Sequence, residues 1–214
     1  MLPNTTEVTT RENRTARLEA FSDGVFSIAI TLLVFNIAVP RDLEDGQTLW
    51  RALVDLWPSY FAFVTSFATI GIMWINHHNL FKIINRADPV LLILNGLLLL
   101  MVTFINFPTA VLGEYIDDVN ARTTAGVLYT GTFAVTAVVF NLLWRYASHQ
   151  HRLMDESTEA ATVRDVTRSY NLGLILYWLA FGLAFFVTVP AIVMNFILAL
   201  FFALPIRGRL LRKS

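Results

Sequence analysis

One acidic residue of this sequence lies where chemistry inside a membrane is possible. Asp23 is near the start of the apolar run at residues 17–40, RLEAFSDGVFSIAITLLVFNIAVP, which is long enough to cross a lipid bilayer. A carboxylate in hydrocarbon costs about 3 kcal/mol unless it faces protein or water. Asp23 is therefore predicted to point toward neighbouring helices or into a wet cavity.

Partners for Asp23 follow from the direction in which each apolar run crosses the membrane. If the first run crosses from inside to outside and the second returns, Trp74 and His77 reach the same inner boundary as Asp23. The third run then begins inside and places Asn95 about one to two turns deep. A buried hydrogen-bonded cluster is predicted there, with positive charge supplied by the inner end of the first helix. Its members are Arg17, Ser22, Asp23, Trp74, His77 and Asn95.

This cluster has two interpretations. Polar groups inside membranes lock helices together, but Asp and His also form the proton relays of transporters. The structural role is the commoner one, and both remain open at this point.

The sequence offers little for catalysis or metal binding. It contains no Cys, which excludes thiolate catalysis and Cys-based metal sites. His77 and His78 are adjacent and point to different faces of a helix, whereas His149 and His151 have no third ligand nearby. No nucleophile or phosphate-loop motif occurs. We expect no enzymatic activity, no cofactor and no nucleic acid partner.

Apolar helices must position these residues. The chain of 214 residues is 56% hydrophobic and 15% charged, with a mean hydropathy of +0.58, which indicates an integral membrane protein. Pro190 predicts a tight hairpin between the last two runs, and Pro108 predicts a kink or an end in the third run. Pro58 is tolerated because it lies in the first turn of a predicted helix. Six membrane spans are predicted, at residues 21–39, 57–81, 90–112, 125–146, 172–189 and, shorter, 191–204.

Orientation follows from the distribution of Lys and Arg, which accumulate in cytoplasmic loops. With the N-terminus inside, only Arg41, Arg51 and Arg122 of the 16 basic residues lie outside. This pattern requires an even number of spans with both termini in the cytoplasm. The acidic outer loops either concentrate cations at the external surface or merely make those loops soluble, and both interpretations stay open.

The domain organisation predicted from these patterns is simple. Residues 1–16 are polar and are expected to form a disordered cytoplasmic tail, because they lack the apolar core of a secretory signal. Residues 17–206 form a single six-helix transmembrane domain, and residues 207–214 form a basic cytoplasmic tail. We expect a multi-pass protein of the inner cell membrane, in contact with lipid.

The first helix has a second face. At 100° per residue, the side chain of Asp23 projects about 140° away from Ile28. Periodicity does not decide whether the stripe around Ile28 meets lipid, another helix or a pore. The residues of this stripe are Phe21, Gly24, Ile28, Thr31, Leu32 and Phe35.

Two motifs carry a resemblance to a known family. The pattern R-x-x-x-F-S-D-G at residues 17–24, W-I-N-H at residues 74–77 and the six-span layout resemble the prokaryotic branch of the lysosomal potassium channel family, the transmembrane protein 175 type. The resemblance implies a homotetramer whose first helices line a central pore for potassium ions. Animal members resemble tandem duplications, whereas this chain carries one F-S-D-G and shows no internal repeat.

The resemblance also implies residue roles. Ile28, Leu32 and Phe35 match the apolar constriction of the pore, and Thr31 matches a layer of hydroxyl groups there. An aliphatic residue is commoner at the position of Phe35. The positions that match the polar network holding the pore helix are Arg17, Asp23, Trp74 and His77.

We therefore predict a weakly selective, leak-like potassium channel. The chain has no T-V-G-Y-G loop to supply rings of backbone carbonyls and no acidic ring at mid-membrane, so discrimination must arise otherwise, and the resemblance implies the apolar constriction as its place. Two alternatives stay open: a proton-coupled membrane transporter that uses Asp23 and His77, and a non-conducting membrane scaffold.

Overall fold

The computed structural model describes residues 5–41, 43, 46–154 and 158–203. Within these ranges the chain is helical, apart from turns and one isolated bridge between Ile84 and Met154. Short 3-10 segments extend two of the helices, at Leu33–Asn36 and His149–His151. The α-helices are α1 (Thr5–Leu32), α2 (Leu49–Asp55), α3 (Trp57–Phe81), α4 (Pro89–Phe104), α5 (Asn106–Tyr115), α6 (Arg122–Ser148), α7 (Ala160–Ala184) and α8 (Thr188–Ala203). The predicted all-α class is confirmed.

Four helical stretches of the described chain have the length and apolarity to cross a membrane. They match the first four predicted spans and are Thr15–Asn36, Trp57–Phe81, Pro89–Tyr115 and Arg122–His151. The places of the fifth and sixth predicted spans are taken by α7, which begins in a polar segment, and by the shorter apolar α8. Crossing by these two helices, and the position of both termini, stay predictions.

Two prolines act as the sequence predicts. Pro58 lies in the first turn of α3, where its missing N–H leaves no helical carbonyl unpaired. The third apolar stretch is interrupted at Ile105, between α4 and α5. Pro108 cannot donate to the carbonyl of Phe104 four residues earlier, which accounts for the interruption.

The hairpin predicted at Pro190 is found slightly earlier in the chain. The turn occupies residues 185–187, where the amides of Phe186 and Val187 donate to the carbonyl of Leu183. Pro190 lies in the first turn of α8. The predicted position was wrong because a proline is as compatible with a first helical turn as with the turn that precedes it.

The N-terminal segment differs from its prediction. The backbone of residues 5–16 is helical and belongs to α1, whereas the sequence predicts a disordered tail there. This stretch contains neither Pro nor Gly, so nothing in it breaks the helix. Residues 1–4 and the predicted basic tail at residues 207–214 lie outside the described part of the chain.

The core is built around α6, which packs against α4, α5, α7 and α8. Tyr129, Phe133 and Trp144 of α6 are almost completely buried. Near the middle of the bundle, the hydroxyl of Ser66 lies 2.8 Å from that of Thr109 and 3.1 Å from that of Tyr129. In contrast, α1 lies at one edge and contacts α3 and α4. One side of α1 thus has no packing partner within the part of the subunit that the structure describes.

Asp88 caps the helix that carries Asn95. One of its carboxylate oxygens accepts the amide of Leu91 at 2.9 Å, and the other accepts the hydroxyl of Tyr146. Arg152 lies 3.8 Å away. Partial burial raises the pKa of Asp88, but the bonds from Tyr146 and Leu91 and the charge of Arg152 outweigh this, so the pKa lies below its ordinary value.

The stabilisation from Asp88 is expected to depend on pH. It is fully present above the unfolded pKa of about 3.9 and is lost as pH falls through the lower folded pKa. Tyr146→Phe should lower the melting temperature at neutral pH, and this difference should shrink below about pH 4. Thermal unfolding in detergent measures it, with Tyr115→Phe, an exposed tyrosine, as the control. A gap that widens on acidification would contradict the assignment.

Candidate functional site

The buried face of α1 is narrow and regular. Its buried residues are three or four positions apart and pack against α3 and α4: Leu18, Ser22, Phe26, Ala29 and Leu33. This spacing is that of one face of an α-helix. All the residues of the predicted apolar stripe lie on the other side and are exposed, Ile28 by 58% and Phe35 by 79%.

The exposed stripe of α1 ends in altered helical geometry. Leu32 closes the α-helix, and Phe35 lies in the following 3-10 segment. Ile37 then takes an extended conformation, with φ −91° and ψ 102°. The Thr31 hydroxyl donates to the carbonyl of Ile28 at 2.9 Å, which leaves its oxygen free to accept a hydrogen bond or approach a cation.

Polar side chains in the middle of α1, near the start of its apolar stretch, hold it to α3 and α4. The indole Nε1 of Trp74 donates to Oδ1 of Asp23 at 2.8 Å. Beside this pair, Asn95 lies 2.9 Å from both His77 and Ser22, and the Ser22 hydroxyl donates to the carbonyl of Leu18. The structure thus brings together five of the six residues of the predicted cluster, in two adjacent groups.

The hydrogen bonds of this cluster fix the state of His77. The Ser22 proton goes to a backbone carbonyl, so the amide nitrogen of Asn95 donates to Ser22, and the amide oxygen faces His77. Nε2 of His77 is therefore the donor. Nδ1 is buried and has no partner among the described residues, and the rings of Phe26 and Phe81 flank the imidazole. This arrangement fits a neutral, structural histidine.

Arg17 is placed differently from its prediction. It is exposed and makes no hydrogen bond or ion pair within the part of the chain that the structure describes. Asp23 and His77 are bonded to other partners, not to each other. Among the described residues, no three His, Asp or Glu side chains come together as a metal site.

The sequence analysis did not predict a second contact between α1 and α3, one helical turn from the bond between Asp23 and Trp74. Nδ1 of His78 lies 2.6 Å from Oε1 of Glu19, and the ring of His78 stacks on Trp74. Glu19 and Asp23 are four residues apart on α1, as are Trp74 and His78 on the antiparallel α3, so the two contacts are successive rungs between the helices. This shared spacing was the available signal.

Another contact that the sequence analysis did not predict holds the C-terminal end of α1. The side-chain amide of Asn36 donates to the carbonyl of Asn106 at 3.1 Å, and that of Asn106 donates to the carbonyl of Ala29 at 3.2 Å. Asn106 lies at the start of α5, directly after the interruption at Ile105. Hence one face of α1 is bonded to its own subunit at two levels, at Ser22 and Asp23 and again at Ala29, while no described residue covers the opposite stripe.

Asp23→Ala is expected to weaken the protein more than it changes ion preference. The substitution leaves the Trp74 N–H without its acceptor and should cost about 1 kcal/mol. Thermal unfolding and the yield of assembled protein on size exclusion measure the loss. In a double-mutant cycle with Trp74→Phe, the second substitution should add little to the first. Intact assemblies that have lost all ion preference would contradict this role.

Comparisons with known proteins agree with the geometry. The family model "Endosomal/lysosomal potassium channel TMEM175" matches residues 17–108. A protein of Chamaesiphon minutus named as a potassium channel is 46% identical over 90% of this chain and 95% of its own length. Another of that name, from Streptomyces collinus, is 40% identical over 89% of this chain and 92% of its own. The crystal structure of "a lysosomal potassium-selective channel TMEM175 homolog" from Chamaesiphon minutus superposes with a TM-score of 0.83 at 43% identity, covering 91% of this chain and 98% of that one.

Proposed function

The chain belongs to the TMEM175 family, and we propose that it forms a potassium channel in the cell membrane. The observation that carries the proposal is the asymmetry of α1. One face is bonded to α3, α4 and α5 of the same subunit, whereas the opposite face presents bulky apolar groups that no described residue covers. The names of the two bacterial relatives support potassium as the permeant ion.

The proposed channel is a homotetramer in which four copies of α1 surround the conduction path. The stripe of each copy faces the symmetry axis, so that Ile28 and Leu32 form two apolar collars about 6 Å apart along the helix. Phe35 forms a third ring beyond the end of the α-helix. The exposure of these three side chains in one subunit supports this arrangement, since a pore-lining residue has no partner within its own chain.

Weak selectivity follows from the chemistry of these collars. An apolar ring gates by dewetting, and a ring just wide enough passes the ion that gives up part of its hydration shell more readily. This favours potassium over sodium, but by less than a filter of backbone carbonyls would. The Thr31 hydroxyls, between the Ile28 and Leu32 collars, would supply acceptors for a partly dehydrated cation.

The polar groups at these two levels of α1 serve as its supports in this proposal. A pore helix must keep its collars aligned, and a helix fixed at only one level would tilt about that level. The bonds to Trp74, Asn95 and Asn106 hold α1 at both levels. Proton-coupled transport has less support, because Asp23 and His77 share no hydrogen bond and His77 is enclosed by aromatic rings.

A reversal-potential measurement tests the proposal. Purified protein is reconstituted into planar bilayers with potassium on one side and sodium on the other. A channel of the proposed kind should give a current whose reversal potential has the sign expected when potassium is the more permeant ion. The size of this potential should correspond to a modest permeability ratio of potassium over sodium. Absence of potassium current from correctly assembled protein would overturn the proposal. Flux that saturates and requires a pH gradient would favour the transporter.

A further inference from the structure

Exposed arginines near the end of α6 and the start of α7 have no acidic partner among the described residues. Arg145 of α6 donates from Nε to Asn141 and from Nη2 to Asn171 at 2.9 Å. Both acceptors are neutral amides, which orient the guanidinium without compensating its charge. The amide of Asn141 also donates to Asn171, so the two helices are joined at this level.

Two further arginines lie beside this cluster on α7. Arg168 precedes Asn171 by three residues and Arg164 precedes Arg168 by four, so they follow one face of the helix. Both are exposed and form no ion pair within the described chain. Asp165, one position after Arg164, lines the cavity between α3, α6, α7 and α8.

The same face of α7 becomes apolar toward the middle of the bundle. Leu172, Ile175 and Leu179 continue the line of the arginines and are 43–59% exposed. On α6, Leu142 lies one turn before Arg145 and is also exposed. A surface with guanidinium groups at the end of an apolar strip matches a phospholipid, with an anionic phosphate at one end and acyl chains at the other.

We propose that Arg145, Arg168 and Arg164 bind the phosphate of an anionic phospholipid, with its acyl chains along Leu142, Leu172 and Ile175. The charge of the surface decides the occupant, since a zwitterionic headgroup would leave the guanidiniums uncompensated. The site requires that α6 and α7 face the bilayer, but it does not depend on whether the protein conducts potassium.

Lipid titration of the purified full-length protein tests the site. Native mass spectrometry in neutral detergent compares phosphatidylglycerol with phosphatidylcholine of the same acyl chains. Wild type should hold phosphatidylglycerol at least about fivefold more tightly. Arg145→Gln should remove most of this preference, and Lys82→Gln, which deletes an exposed cation of α3's C-terminal end, should keep it.

Two further arms keep the result decisive. Arg168→Gln breaks no bond to a described residue, so it should fold normally and still lower the preference about fivefold. Millimolar inorganic phosphate should displace no lipid. An unchanged preference for phosphatidylglycerol in both arginine variants would overturn the proposal. Displacement of the bound lipid by inorganic phosphate would overturn it as well.

Discussion

Replacing Ile28 with Asn should raise the potassium current about tenfold and reduce the preference for potassium over sodium. In the proposed tetramer, four carboxamides at the Ile28 collar would keep that part of the pore wet, which would remove the dewetting barrier. A barrier lower by about 1.4 kcal/mol corresponds to a tenfold rate. Folding should be little affected, because Ile28 is 58% exposed.

Ile197→Asn provides a matched control for this experiment. Ile197 is 56% exposed, but it lies on α8, which packs against α3, α6 and α7, whereas α1 lines the proposed pore. Bilayer recordings of both variants at equal protein density should show the increase for Ile28→Asn alone. Equal currents from the two variants and wild type would remove Ile28 from the conduction path.

The contact between Asp23 of α1 and Trp74 of α3 was predictable, because topology and helical spacing can be read directly from the sequence. Alternating crossings place Asp23 and Trp74 at one depth, and burying a polar group requires a partner. Glu19 was missed because it lies just outside the first predicted span at residues 21–39, although its spacing from Asp23 matches that of Trp74 and His78. Arg17 was included for its charge, but its exposed side chain makes no hydrogen bond or ion pair to a described residue.

The contact at the C-terminal end of α1 was not predictable in the same way. The contact between Asn36 and Asn106 depends on where the α-helix gives way to a 3-10 segment and where the third stretch is interrupted. Both are backbone adjustments of one or two residues, which is the level at which sequence patterns fail. The displaced turn before Pro190 has the same origin, since a proline is compatible with several positions near a helix start.

The two faces of α1 are expected to have different roles, because only one of them is bonded to the rest of the subunit. Substitutions on the buried face should act on stability and assembly, whereas those on the exposed stripe should act on conduction. Asn95 is the sharpest test of the first half of this division, since it is 1% exposed and joins His77 on α3 to Ser22 on α1.

Asn95→Leu is expected to lower the free energy of unfolding by about 2 kcal/mol without altering ion preference. It leaves the His77 Nε2 proton buried without an acceptor, and the bond to Ser22 is lost. Asn195→Leu is the matched control: Asn195 is 3% exposed, but neither of its amide atoms has a partner within the described chain, so the same substitution should be neutral or stabilising. Thermal unfolding and reversal potentials of both variants separate the two properties. A stable Asn95→Leu protein that no longer distinguishes potassium from sodium would place the selectivity of the channel in the polar cluster, not in the collars.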